Sequence, residues 1–186
     1  MRTGWGVWIT GLPASGKSTI ARALQAKLEG MGGSVQVLES DALRKILTPA
    51  PTYTSEERET FYHAMIHIGV LLTSNGVNVV FDATANRRRW RDKAREKIPR
   101  FMEIHVDTPL ETCVKRDPKG IYHKASEGNA STVPGAQEVY EPPEAPEVRV
   151  EGSVPADRSV RAILAAMRTH GLTVSQKPAR PPVGYH

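Results

Sequence analysis

The stretch "GLPASGKS", Gly11 to Ser18, carries the most specific chemistry in the sequence. It fits the pattern G-x-x-x-x-G-K-[ST], the phosphate-binding loop of many nucleotide enzymes. Its glycines let successive backbone N–H groups curl round a phosphate at a helix N-terminus, where the helix dipole also favours an anion. Lys17 is spaced to reach the outer phosphates, and the Ser18 hydroxyl to ligate Mg²⁺. The expected ATP and phosphate contacts are therefore Gly11, Ala14, Ser15, Gly16, Lys17, Ser18 and Thr19. A Gly-rich turn with an exposed lysine is the bland alternative. An apolar strand before the loop and a helix after it argue against that.

Asp41 and Asp82 each follow or end an apolar strand. Ligands of open parallel sheets bind beyond the carboxyl ends of the strands. Both carboxylates are thus candidates for the phosphate site. One could orient or deprotonate an acceptor hydroxyl, and the other could support Mg²⁺, directly or through water. Asp41 has a second reading as the N-cap of the helix it opens. For Asp82 the catalytic and purely structural readings stand side by side.

Other charged groups read more blandly. "RRRWRDKAREK" could be a nucleic-acid patch. It is better read as a solvated helix face, with Asp92 and Glu96 supplying opposite charge and one or two arginines turned inward. His63 and His67 are four apart, but no glutamate completes a metal motif. Cys113 sits among apolar helix residues and is expected to be buried. The stretch "KRDPKGIYHKASEG", Lys115 to Gly128, is too charged for a core element and is expected to close over something anionic.

The elements that must position these groups follow from the apolar pattern. Strands are expected at Trp5 to Thr10, Val35 to Ser40, Val77 to Phe81, Phe101 to Val106 and Glu147 to Val150. Helices are expected at Ser18 to Met31, Asp41 to Leu47, Ser55 to Asn75, Arg87 to Lys97, Pro109 to Arg116 and Asp157 to His170. Ser55 reads as the N-cap of the long helix, with Arg58 where a capping box wants Glu or Gln. Strands alternating with helices mean an α/β fold with a parallel sheet. The expected organisation is one domain, residues 1–170, with a flexible tail at 171–186 that is rich in proline.

Composition sets outer bounds. A chain of 186 residues suggests one domain. No apolar run approaches the ~20 residues that a bilayer requires, and the start is too short and polar for a signal peptide. The single cysteine excludes an internal disulfide and fits a reducing cytoplasm. A net charge of +5 suits either nucleic acid or anionic metabolites such as nucleotides, and does not separate them.

"GLPASGKS", "LESDALR" and "VDTPLETCVKRDPKGIYHKA" followed by "YEPPEAPE" together resemble the adenylylsulfate kinases. The resemblance runs from about Val7 to Glu147. It implies a P-loop kinase fold, ATP and Mg²⁺, and transfer of a phosphoryl group to the ribose 3′-hydroxyl of adenylylsulfate, an early step of sulfate assimilation. It implies that residues of about 116–146 form a lid, with Arg116 near ATP and with Lys119 and Lys124 on the phosphosulfate and phosphates. Arg44 and Arg58 match arginines that hold the acceptor, and Tyr53 keeps one aromatic wall. A homodimer is common in the family. The departures fall in the acceptor half. Glu39-Ser40-Asp41 stands where the family has Asp-Gly-Asp, and Phe61 and His63 replace an Asn and an Arg. Val133 replaces a stacking Phe. "DATAN" after the third strand resembles broader P-loop kinases, so another nucleotide or small polyol is the rival acceptor. A nucleotide-dependent nucleic-acid-binding module is the rival from another class.

Overall fold

The structure, a computed structural model, describes residues 3–128 and 132–173. Five strands form one sheet in the order β2-β3-β1-β4-β5, and every neighbouring pair is parallel. They are β1 (Gly6–Thr10), β2 (Val35–Glu39), β3 (Asn78–Asp82), β4 (Phe101–Val106) and β5 (Val148–Val150). Helices fill the crossovers: α1 (Lys17–Gly30), α2 (Ser40–Leu47), α3 (Ser55–Ser74), α4 (Arg88–Lys97), α5 (Leu110–Arg116), α6 (Ile121–Ser126) and α7 (Ala156–Thr169). The expected α/β fold is the observed one, and the boundaries agree to within a residue or two.

The alternation of side chains divides the core. Val7 and Ile9 of β1, Val80 of β3, and Met102, Ile104 and Val106 of β4 pack under α1 and α7. Trp8, Val79, Phe81 and Phe101 point the other way, under α3 and α4. Both faces are covered, so the central strands read as unbroken apolar runs. Trp8 stacks on Phe81 with ring centres 4.7 Å apart. Because all strands run parallel, Thr10, Glu39, Asp82 and Val106 end at the same edge. That edge is where the P-loop, α2 and the lid segment meet.

Three local expectations are corrected. The N-cap of α3 is Thr54, not Ser55; its side chain accepts from the Glu57 N–H at 3.2 Å. This places Glu57, not Arg58, three residues after the cap, so the sequence T-x-x-E was the signal. The cationic stretch after α5 is not all loop. Asp117 accepts from the N–H groups of Ile121 and His123 at 2.7 and 2.9 Å, and this nucleates α6. The arginines of α4 do not rely on Asp92 and Glu96. They meet Glu59, Glu103, Glu144 and Glu147 from other elements. The inward arginine is Arg91, fully buried, with Nε 2.6 Å from the Glu103 carboxylate. The tail expected from residue 171 lies, beyond residue 173, outside the described residues.

Candidate active site

The loop after β1 turns back on itself before α1 starts. Ser15 N–H donates to the Leu12 carbonyl at 3.1 Å, and Gly16 sits at φ 106°, which a residue with a Cβ adopts only under strain. α1 then begins at Lys17 with its first N–H groups free to face a ligand. Gly152, after β5, passes so close beneath the loop that a Cβ there would lie 1.7 Å from the Ser15 carbonyl oxygen. The Thr108 hydroxyl donates to that same oxygen at 2.9 Å. From the lid side, the Tyr122 hydroxyl donates to the Pro13 carbonyl at 3.0 Å. The loop is therefore clamped from the ends of β4 and β5 and from α6.

Over the loop lies a cavity of about 590 Å³. Ala14, Gly16, Lys17, Ser18 and Thr19 form its floor. Glu39, Asp41 and Asp82 form one wall, and Arg116, Lys119, Gly152 and Val154 the other. Lys17 is buried, and its ammonium donates to the Leu12 carbonyl at 2.7 Å. Burial pulls its pKa down to about 8, against the opposing pull of Asp82. Burial pushes Asp82 up, while the Ser18 hydroxyl and Lys17 hold it down. A buried cation and a buried anion thus share the cavity, each shifted toward neutrality. Such opposed shifts in a cleft mark a functional site. Lys119 pairs with Asp41 across the mouth, and the Arg116 guanidinium donates to the Gly152 carbonyl at 3.0 Å. Asp41 makes no cap, because the N-terminal residue of α2 is preceded by Glu39, which has no side-chain capping bond. Gly11 and Ser15 lie beneath the cavity rather than on its surface. Ser15 is fully buried, and its hydroxyl has no hydrogen-bond partner among the described residues.

Of the residues expected to hold an acceptor, Asp41 and Lys119 line this cavity, whereas Arg44, Tyr53 and Arg58 gather outside its lining. The Arg44 guanidinium lies 3.9 Å over the Phe61 ring and 5.1 Å from the Tyr53 ring, and pairs with Glu57 at 3.2 Å. Arg58 donates to the Tyr53 carbonyl at 3.0 Å, to Asn86 at 3.4 Å and to the Thr132 carbonyl at 2.7 Å. Both arginines are buried, whereas Tyr53 is 40% exposed. Lys124 is exposed on α6 and lines no part of the cavity. Val133 is buried with Cys113 and Tyr122 in a small core under the lid segment, so its side chain forms no wall facing Tyr53. His63 pairs with Glu59 at 2.9 Å and contacts Lys93. Among the described residues no cluster of three or more His, Cys, Asp or Glu could hold a metal ion.

Sequence reasoning missed Asn86, Tyr140 and Glu57. Asn86 is 1% exposed and bridges Arg58 to the Val139 carbonyl. Its place just after β3 was the available signal. The Tyr140 hydroxyl meets Thr10 at 3.1 Å, with burial raising its pKa to about 12. Its place at the head of "YEPPEAPE" was the available signal.

Residues 3–151 match the family model described as "Adenylylsulphate kinase". A protein of Pyrococcus abyssi named "Probable adenylyl-sulfate kinase" is 43% identical over 150 residues, 81% of this chain and 86% of that one. The adenylyl-sulfate kinase of Microcystis aeruginosa is 42% identical over 142 residues, covering 76% and 78% of the two chains. Among solved structures, the Mycobacterium tuberculosis APS kinase CysC in complex with AMPPNP and APS matches with a TM-score of 0.85. It is 31% identical, and the match covers 90% of this chain and 99% of that one.

Proposed function

Because the chain belongs to the adenylylsulfate kinase family, we propose that it transfers the γ-phosphoryl of ATP to the ribose 3′-hydroxyl of adenylylsulfate. The product is 3′-phosphoadenylylsulfate. The observation that carries this reading is the single cavity that brings Lys17, Asp82, Asp41 and Lys119 around the start of α1. ATP phosphates lie on the loop, where the N–H groups of α1 and the Lys17 ammonium meet their charge. Thr19 and Arg116 flank the nucleoside end. Phosphoryl transfer demands position and charge neutralisation more than covalent help. Lys17 stabilises charge on the transferring group, and Asp41 orients or takes the proton of the acceptor hydroxyl.

The Ser18 hydroxyl and the Asp82 carboxylate, both lining the cavity, are the hard oxygen donors that suit Mg²⁺. Ser18 would hold the ion, with Asp82 or Asp41 acting through water. When bound, Mg²⁺ supplies charge neutralisation between the phosphates. Arg44, Arg58 and Tyr53 form the acceptor side, and the described part of the lid, within residues 116–146, places Lys119 at the mouth of the cavity and Lys124 on the exposed face of α6. Residues 1–170 make up the kinase domain. A homodimer is the proposed assembly, and the cytoplasm the proposed location; no helix among the described residues is long and apolar enough to cross a membrane.

A second reading keeps the donor side and changes the acceptor to another nucleotide or small polyol. Its support is Phe61 against Arg44 and the burial of Val133. An acceptor screen decides between them. With ATP and Mg²⁺, ADP release should depend on adenylylsulfate. Release with a polyol or another nucleotide, and none with adenylylsulfate, would establish the second reading instead.

A further inference from the structure

Glu57 does more than open α3. In a capping box, the carboxylate at this position reaches back to the N–H of the cap residue. Here it reaches further. One oxygen accepts from the Thr52 N–H at 2.5 Å and from the Thr52 hydroxyl at 2.7 Å. The other accepts from Arg44 of α2 at 3.2 Å. Against the upward push of burial, these donors hold its pKa below the usual carboxylate range. A single side chain thus ties α2, the loop after it and α3 together.

The loop needs such a tie. Tyr53 has φ 56°, the left-handed region, without being glycine. An L-residue is strained there, and the conformation persists only where its surroundings impose it. Glu57 fixes the preceding residue, Thr52, through its N–H and hydroxyl, and Arg58 holds the Tyr53 carbonyl at 3.0 Å. In that conformation the Tyr53 ring lies 5.1 Å from the Arg44 guanidinium and 5.5 Å from that of Arg58. Phe61 supports the other contact of Arg44, at 3.9 Å. Arg44 is a charged group with 8% exposure, so its direction is set by these few partners.

We infer that Glu57 is a positioning residue for the acceptor: it fixes Tyr53 and Arg44 in the one arrangement that receives the acceptor nucleotide, without touching that nucleotide. The inference rests on the proposed function. Glu57 lines no part of the cavity over the P-loop, so its influence falls on one substrate and not the other. A purely structural residue would affect both.

The test is steady-state kinetics on the whole chain carrying Glu57→Gln, with ATP and adenylylsulfate varied separately. The amide keeps the shape, loses the charge that holds Arg44 and turns a donor toward the Thr52 N–H group. KM for adenylylsulfate should rise about tenfold, the scale of a modest misplacement of a binding group. KM for ATP and the melting midpoint should stay near wild type. An unchanged KM for adenylylsulfate, or equal rises for both substrates, would overturn the inference. Thr52→Ala, at an exposed residue, covers the case in which Glu57→Gln does not fold. It removes one donor and should raise KM for adenylylsulfate a few-fold, while no change would count against the role. Wild-type enzyme that ignores adenylylsulfate would overturn the proposed function and this inference with it, an outcome visible before any variant is made.

Discussion

Lys119, in the segment after α5, pairs with Asp41 at the start of α2, across the mouth of the cavity and 78 residues away in sequence. Asp41 is the main reason that the Lys119 pKa is raised. Both side chains are more than half exposed, so the pair contributes little to stability. Its meaning is positional. A lid cation sits on the carboxylate proposed to orient the acceptor, and a phosphate entering between them would take the cation over. Lys119→Met should therefore leave urea unfolding within about 0.5 kcal/mol of wild type while lowering kcat/KM for adenylylsulfate at least tenfold. Unfolding and kinetic measurements on the same preparation check this. A destabilised but fully active variant would reverse the assignment.

Lys17 supplies a prediction in pH. Its free-state pKa is about 8, lowered by burial. ATP phosphates favour the charged form, so binding raises that pKa. Below pH 8 the lysine is already protonated and binding takes up no proton through it. Above pH 8, up to the raised pKa of the complex, binding should take up as much as one proton, and affinity should fall as pH rises. Calorimetry with AMPPNP in two buffers of different ionisation enthalpy measures the uptake. Lys17→Ala should lose it, together with about 10²-fold or more of the transfer rate.

Asp41 separates chemistry from folding. It lies in the first turn of α2 without capping it, so Asp41→Asn should change stability little. If the carboxylate orients or deprotonates the acceptor hydroxyl, kcat should fall by about 10²–10⁴ with little change in KM for ATP. A loss of stability with kcat intact would return Asp41 to a structural role.

The parallel sheet and the P-loop were legible because both are written locally. Val7 to Thr10 and Val79 to Phe81 are continuous apolar runs, and the glycines and Lys17 lie within eight residues of one another. What escaped depends on partners distant in sequence. Arg91 gave no sign of being the buried arginine among its neighbours, because Glu103 and the Glu141 carbonyl, which receive it, come from β4 and the return segment. α6 was hidden because its start is set by the Asp117 side chain, not by an apolar pattern. Arg44 and Arg58 could be named as candidates for the acceptor, but that their donors are occupied by Glu57, Tyr53, Asn86 and Thr132 could not be.

The Arg91 network predicts a large stability effect. Arg91 and Glu103 are 0% and 6% exposed, with the contact at 2.6 Å. Arg91 also donates to the Ala85 and Glu141 carbonyls. Arg91→Met leaves the buried Glu103 carboxylate with only the longer Arg95 contact at 3.6 Å and takes a donor from two carbonyls, and should cost about 3–5 kcal/mol. Pairing it with Glu103→Leu removes the stranded charge and should recover part of the loss. Urea unfolding of the two variants checks both statements, and a single variant within 1 kcal/mol of wild type would contradict them.

Val133 carries the last prediction, where the family resemblance and the structure point in opposite directions. By the resemblance it stands for a stacking Phe opposite Tyr53, so Val133→Phe should tighten adenylylsulfate by about 1 kcal/mol. In the structure Val133 is 4% exposed and packs with Cys113 and Tyr122, beside Leu12 of the P-loop and Ile121 and Ala125 of α6. A phenyl ring at that place has no open side to enter. It must push on Tyr122, whose hydroxyl holds the Pro13 carbonyl at 3.0 Å. The expected outcome is therefore overpacking, at about 1–3 kcal/mol of stability, with KM for ATP raised through the displaced loop and no gain for adenylylsulfate. Kinetics with each substrate and a melting curve for the one variant decide the matter. A lower KM for adenylylsulfate at unchanged stability would mean that the segment around Val133 turns outward when the acceptor binds.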